Sequence, residues 1–306
     1  LFTLLIYLSI GPCLAIPRTS STSFEMTVFP VLEQMGVSLN STVSGTGFTV
    51  QTMAQFGYSV VFFTAAMAVA FRPEKLTDRL GKILCPTLLV LISVIFIGCL
   101  VWPMGHYGDP GSVYKSGPAV AGFLEGYQTM DTIAALNFGI IIAINIRAKG
   151  VDQEGAIVRE TIKAGIIAGI LLALIYAALA HIGAPAGAAA RGMDNGARIL
   201  TYVAGNLFGN AGMMILGLIF LIACFNTCVG LLSCCSQYFN SIIPVIGYRV
   251  WVFLFALISL IISSAGLNKI LAVSVPVLNA IYPIAIVLIV LAFLGPLTKR
   301  WPAMYP

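Results

Sequence analysis

Charge is what this sequence has least of: only 9% of its 306 residues are Asp, Glu, Lys or Arg. A soluble chain carries about 25% charged residues and needs them to build a polar surface. Here 59% of the residues are hydrophobic and the mean hydropathy is +1.00, which excludes a water-soluble globule. Lipid solvates such an apolar exterior directly. The net charge of +5 is small for the length and spread over short loops, so no basic patch for nucleic acid is expected. Histidine is nearly absent, and His106 and His181 have no catalytic partner near them in sequence. The chain holds no glycine-rich phosphate loop and no nucleophile motif, so neither ATP-driven pumping nor hydrolysis has a signature and the expectation is a protein that is not an enzyme. Its seven cysteines lie almost entirely within apolar runs and share no metal-ligand spacing with histidine. They read as small core residues, not as a disulfide framework or a zinc site, and no cofactor is expected.

What the chain has instead is a succession of apolar runs near the roughly 20 residues that cross a bilayer. Eight are counted, at 1–16, 56–71, 83–102, 119–146, 164–183, 209–243, 250–266 and 270–295. The run at 209–243 is long enough for a tilted helix, and 196–207 before it reads as an interfacial helix. The first run has neither an initiator Met nor a basic stretch before it, which fits a membrane helix cut short better than a signal peptide. Positive charge is retained on the cytoplasmic side of a membrane protein. Eleven of the 16 Lys and Arg residues fall on one side of the eight spans, in the loops holding Arg72 to Lys82, Arg147 to Lys163, Arg249, and Lys299 with Arg300. The other side has Arg18, Lys115, Arg191, Arg198 and Lys269. This places Leu1 inside, with an even number of helices expected upstream. The segment 18–55, rich in Ser, Thr and Gly, reads as the longest external connection, with a short helix at 23–35.

Ionisable residues within spans are costly and mark function. The fourth run carries two acids in Gly122-Phe-Leu-Glu-Gly-Tyr-Gln-Thr-Met-Asp131, where glycine and polar groups interrupt the apolar pattern before it resumes at Ile133. This predicts a broken helix whose freed N–H and C=O groups hold an amino acid's two charged ends at a protected site. The candidate substrate-binding residues are Glu125, Gly126, Tyr127, Gln128, Thr129 and Asp131. An external entry loop leading into an ordinary helix is the other reading. In the sixth run Asn226, Gly230, Ser233 and Gln237 share a helix face. That stripe suits either hard oxygen ligands for a sodium ion or interhelical hydrogen bonds.

Four segments resemble the branched-chain amino acid transport system II carrier family of bacterial cation symporters. They are Ile10-Gly-Pro-Cys-Leu-Ala-Ile-Pro-Arg-Thr19, Asp78-Arg-Leu-Gly-Lys-Ile-Leu-Cys-Pro-Thr87, the 122–131 string above, and Val273-Ser-Val-Pro-Val-Leu278. The resemblance extends over essentially the whole chain. It implies an all-α secondary transporter with an inverted repeat of five plus five helices, residues 1–103 being the remainder of the first repeat and 119–295 the second. In that scheme 1–16 is the third helix and the 125–132 region the sixth, broken one. Asn226 and Thr227 lie on the eighth, where the fold places hydroxyl ligands of sodium. The implied activity is uptake of leucine, isoleucine and valine coupled to Na+ by a multi-pass protein of the bacterial cytoplasmic membrane. A proton-coupled carrier of the same fold, with Glu125 or Asp131 as its proton site, and an uncoupled channel or scaffold are the alternatives.

Overall fold

The structure, a computed structural model, describes residues 2–42, 47–71, 73–103, 105, 107, 109, 112–127, 129–148, 150–187, 193 and 195–293. The described residues form helices, and the sole strand-like pairing among them is an isolated bridge between Thr42 and Thr49. Helix α1 (Phe2–Leu8) runs through a π-helical turn at Ser9–Cys13 into α2 (Ala15–Gln34). Gly11 leaves the helical region there with ψ of −118°, and Pro12, which lacks an N–H, follows it. Helices α3 (Val50–Ala70), α4 (Pro73–Val101) and the short α5 (Ser112–Lys115) come next. The run at 119–146 becomes α6 (Pro118–Tyr127) and α7 (Asp131–Ala148), followed by α8 (Glu154–Ala186), α9 (Gly196–Ile242), α10 (Tyr248–Ser263) and α11 (Leu267–Phe293).

Among the described residues each apolar run thus lies largely on helix. Among the described residues α3, α8, α9 and the Leu267–Leu291 part of α11 are long and apolar enough to cross a membrane, while Pro86–Val101 and α10 are shorter apolar helices. Large apolar side chains such as Val61, Ile167, Leu174 and Ile261 stand on the outside, as lipid contact requires and water would penalise.

Helix α9 is the central pillar. Asn195 starts it, its Oδ1 accepting from the Arg198 N–H at 3.1 Å, and the chain turns sharply at Gly209 (φ 64°, ψ −161°), a conformation a side chain would strain. The segment before the turn, 196–208, contains the 196–207 piece that stands apart in the sequence as an interfacial helix. Each part of α9 serves its own core. Leu200, Val203 and Ala204, with Leu216 just past the turn, pack with Met26, Ile95, Cys99 and Ile182 of α2, α4 and α8. Cys228 to Phe239 pack with α1, α3, α10 and α11. Cys99, Cys228, Cys234 and Cys235 are buried and free, in keeping with a packing role.

The segment 18–55 corrects the expectation of an external connection with a short helix at 23–35. Residues 15–34 are a single helix whose contact with α9 is the most extensive between described helices, and Ser20, Ser21, Ser23 and Phe24 are fully buried. Serine and threonine look like loop residues in a sequence, but their hydroxyls satisfy themselves locally or across a helix interface. Thr19 and Thr27 donate back to the carbonyls of Ile16 and Ser23. The Ser20 and Ser59 hydroxyls lie 2.9 Å apart, and Gln55 Nε2 donates to Ser21 Oγ at 2.9 Å and to the Ser263 carbonyl at 3.1 Å, joining α2, α3 and α10. Arg198 and Glu25, read as exterior residues, form an ion pair at 2.8 Å in which Glu25 is only 2% exposed. The Arg198 guanidinium also rests 4.0 Å from the centre of the Phe29 ring.

Candidate functional site

The interruption between α6 and α7 is narrower than 125–132. Helix extends through Tyr127 and resumes at Asp131, so Glu125, Gly126, Asp131 and Thr132 are helical. Thr129 closes the end of α6, its Oγ1 donating to the Gly126 carbonyl at 2.7 Å. Met130 then takes φ of 66°, the single positive φ among the described non-glycine residues, at a cost of about 1–3 kcal/mol. Ala134 N–H donating to the Met130 carbonyl at 2.9 Å restarts the helix. Asp131 thereby stands in the first turn of α7, where the helix dipole favours a carboxylate, and it accepts a hydrogen bond from the Tyr176 hydroxyl of α8.

This interruption and the one at Ser9–Cys13 border a single cavity of about 300 Å³. Its polar wall comprises Thr129, Asp131 and Thr227, with Arg18, Thr19 and Thr22 of α2. Its apolar lining includes Ile10, Met130, Ala134, Phe220 and Leu231. Such a space, with a few polar groups converging on an apolar pocket, suits a small zwitterion bearing an aliphatic branch. The hydroxyl of Thr227 donates to the Ala223 carbonyl at 3.0 Å, which leaves its oxygen lone pairs to accept from, or coordinate, a guest.

The structure therefore brings together three of the candidate residues, Thr129, Asp131 and Thr227. Glu125 and Gly126 are exposed and do not line the cavity, and neither does Asn226, one residue from Thr227. Gln128 and the side chain of Tyr127 lie outside the described residues. No group of three or more His, Cys, Asp or Glu among the described residues is placed to hold a metal. A sodium ion, which takes carbonyl and hydroxyl oxygens, would rely on groups such as Thr227.

Arg18 was missed by charge counting, which assigned it to an external loop. It lies on the buried helix α2, lines the cavity, and is within electrostatic reach of Asp131 and Tyr176. The available signal was its position one residue after Pro17 in the Ile10–Thr19 string, inside a motif that carried the resemblance.

Lipid-length apolar helices around a cavity bordered by two helix interruptions define a helical membrane protein. The family is then set by comparison: a family model described as "Branched-chain amino acid transport protein" matches residues 1–306, and the chain belongs to that family. The family is one of transport proteins, not enzymes. Across 305 residues the chain is 39% identical to the branched-chain amino acid permease BraB of Bacillus subtilis, covering 100% of this chain and 65% of the relative. It is 37% identical to the branched-chain amino acid transport system 2 carrier protein of Pseudomonas aeruginosa, covering 99% of this chain and 66% of the relative. The system 3 carrier protein of the same organism is 39% identical over 94% of this chain and 62% of its own length. The chain thus spans just under two thirds of these relatives. No solved structure matches it.

Proposed function

We propose that the protein is a secondary carrier for leucine, isoleucine and valine in the bacterial cytoplasmic membrane, driven by an inward sodium gradient. The observation that carries this reading is the cavity where the α6–α7 and Ser9–Cys13 interruptions meet, with Asp131 and Thr227 on its polar wall and aliphatic side chains opposite. Interrupted helices are the means by which carriers present backbone polar groups to a substrate away from lipid. The names of the relatives support the substrate class. Thr227 supports the ion, as a hydroxyl oxygen on the same cavity as Asp131. The proposal includes the five-plus-five inverted repeat, with eight spans in this chain and residues 1–103 and 119–295 in successive repeats.

Proton coupling in the same fold is a second reading, favoured by Asp131 alone: it is the acid on the cavity wall, whereas Glu125 is off it. Uptake of labelled leucine by the full-length protein in proteoliposomes tests both. Accumulation that follows an imposed sodium gradient and collapses without it supports the proposal. Accumulation driven by a pH gradient in sodium-free buffer replaces it with the proton-coupled carrier. Equilibration without accumulation under either gradient assigns the protein to uncoupled passage.

A further inference from the structure

Helix α2 carries a cation, Arg18, with which no described acid closes an ion pair. Arg18 lines the 300 Å³ cavity, and it also lines a neighbouring cavity of about 410 Å³ bounded by α2, α8, α9 and α11. Thr22 and Phe220 are shared in the same way, so these three side chains form the partition between the two spaces. Arg18 is the only cation lining either cavity among the described residues. The 410 Å³ space around it is largely aliphatic, with Met26, Leu179, Ile182, Leu200, Leu267 and Leu271. Asp131 and Tyr176 lie within electrostatic reach, yet no described acid closes an ion pair with the guanidinium, and Asp131 is engaged by the Tyr176 hydroxyl. The contrast within the same helix is Glu25, which pairs with Arg198 at 2.8 Å.

A guanidinium in apolar surroundings needs an anion, and its planar fork matches a carboxylate through two parallel hydrogen bonds. Across the smaller cavity Asp131 offers the complementary charge. An α-amino acid brings both missing partners, a carboxylate and an ammonium, on one carbon. We propose that Arg18 is the carboxylate anchor of the substrate site, with Asp131 facing the ammonium. The inference rests on the reading of this cavity as the amino-acid site, and it assigns to a side chain on α2 a task that the sequence reading gave to freed backbone groups. A zwitterion clasped in this way is selected for its two charged ends by Arg18 and Asp131, while its branch is left to the apolar lining.

The test uses purified full-length carrier and compares leucine with 3-methylbutylamine, the same molecule without its carboxylate, by ligand-induced thermal stabilisation and calorimetry. In the wild type, leucine is expected to bind about thirtyfold or more tighter than the amine. In Arg18→Gln that advantage should collapse to within threefold, through loss of leucine affinity, with amine affinity unchanged. Arg18→Lys, which keeps the charge but loses the fork, should fall between. Retained leucine affinity in Arg18→Gln overturns the proposal, and so does equal loss of both ligands, the mark of a structural role. Should both variants misfold, leucinamide decides on the wild type: affinity equal to that of leucine overturns the anchor, and a loss of about thirtyfold supports it. A wild type that binds no leucine at all overturns the carrier reading itself, an outcome distinct from any of these.

Discussion

Gly217 is where α9 lies hardest against α2, and replacing it with alanine tests the packing that positions the cavity wall. A Cβ at this position would meet the Met26 carbonyl oxygen at 2.5 Å and both Met26 C and Thr27 Cγ2 at 3.3 Å. Ordinary carbon to oxygen contact begins at about 3.3 Å, so the two helices must separate by roughly 0.8 Å. The obstructing atom is backbone, which cannot swing aside as a side chain would. Overpacking of this kind costs about 1–3 kcal/mol, and the better helix propensity of alanine returns up to about 1 kcal/mol, leaving a net loss of roughly 1–2 kcal/mol. Gly169→Ala on α8 is the control, because nothing lies within 4 Å of a Cβ there. Thermal unfolding of the full-length protein in detergent should show Gly217→Ala melting several degrees below wild type and Gly169→Ala at or slightly above it. Leucine binding should weaken in Gly217→Ala as well, since Arg18, Thr19 and Thr22 ride on the displaced helix. A Gly217→Ala protein as stable as the control would refute the close α2–α9 approach.

Glu25→Gln removes the acid that Arg198 pairs with at 2.8 Å while Glu25 is 2% exposed, and should lower stability by about 1–3 kcal/mol in the same melting assay. Restoration by a further Arg198→Met exchange would identify the guanidinium deprived of the Glu25 charge as the cause. Thr227→Val keeps the shape of a cavity-lining side chain and removes its oxygen, so the sodium concentration for half-maximal leucine uptake should rise about tenfold or more. Unchanged sodium dependence would reduce Thr227 to its hydrogen bond with the Ala223 carbonyl. In competition against labelled leucine, isoleucine and valine should inhibit within about a hundredfold of one another, because a methylene in an apolar pocket is worth about 1–3 kcal/mol. Excess lysine or glutamate should leave uptake unaffected, as an unpaired charge among Ile10, Ala134 and Leu231 carries a desolvation cost of several kcal/mol.

Hydrophobic runs made the helices legible because lipid demands length and apolarity, a constraint written residue by residue. The break before Asp131 was legible for the complementary reason: acids and glycine have no place in an uninterrupted lipid-facing helix. Its extent was not, because whether Glu125 and Gly126 stay helical depends on Thr129 capping the Gly126 carbonyl. The full length and the burial of helix α2 went beyond the short helix read at 23–35, because hydropathy scores hydroxyls as solvent-seeking, while Ser20, Ser21 and Gln55 are satisfied by residues 34 to 242 positions away in the chain. Arg18 and Glu25 were misplaced together with it. Asn226 and Thr227 are adjacent in sequence and both oxygen-bearing, and only the rotation of α9 against α2 and α7 decides that Thr227 is the one on the cavity.

The central claim is that leucine occupies the cavity between the two helix interruptions. Photolysis of the full-length carrier with a diazirine-bearing leucine analogue, followed by peptide mapping, tests it most directly. Adducts that excess leucine prevents should fall within 10–22, 129–134 and 220–231, which hold Ile10, Thr22, Met130, Ala134, Phe220 and Cys224 of the cavity wall. Leucine-protected adducts confined to other segments, with none on these three, would contradict it.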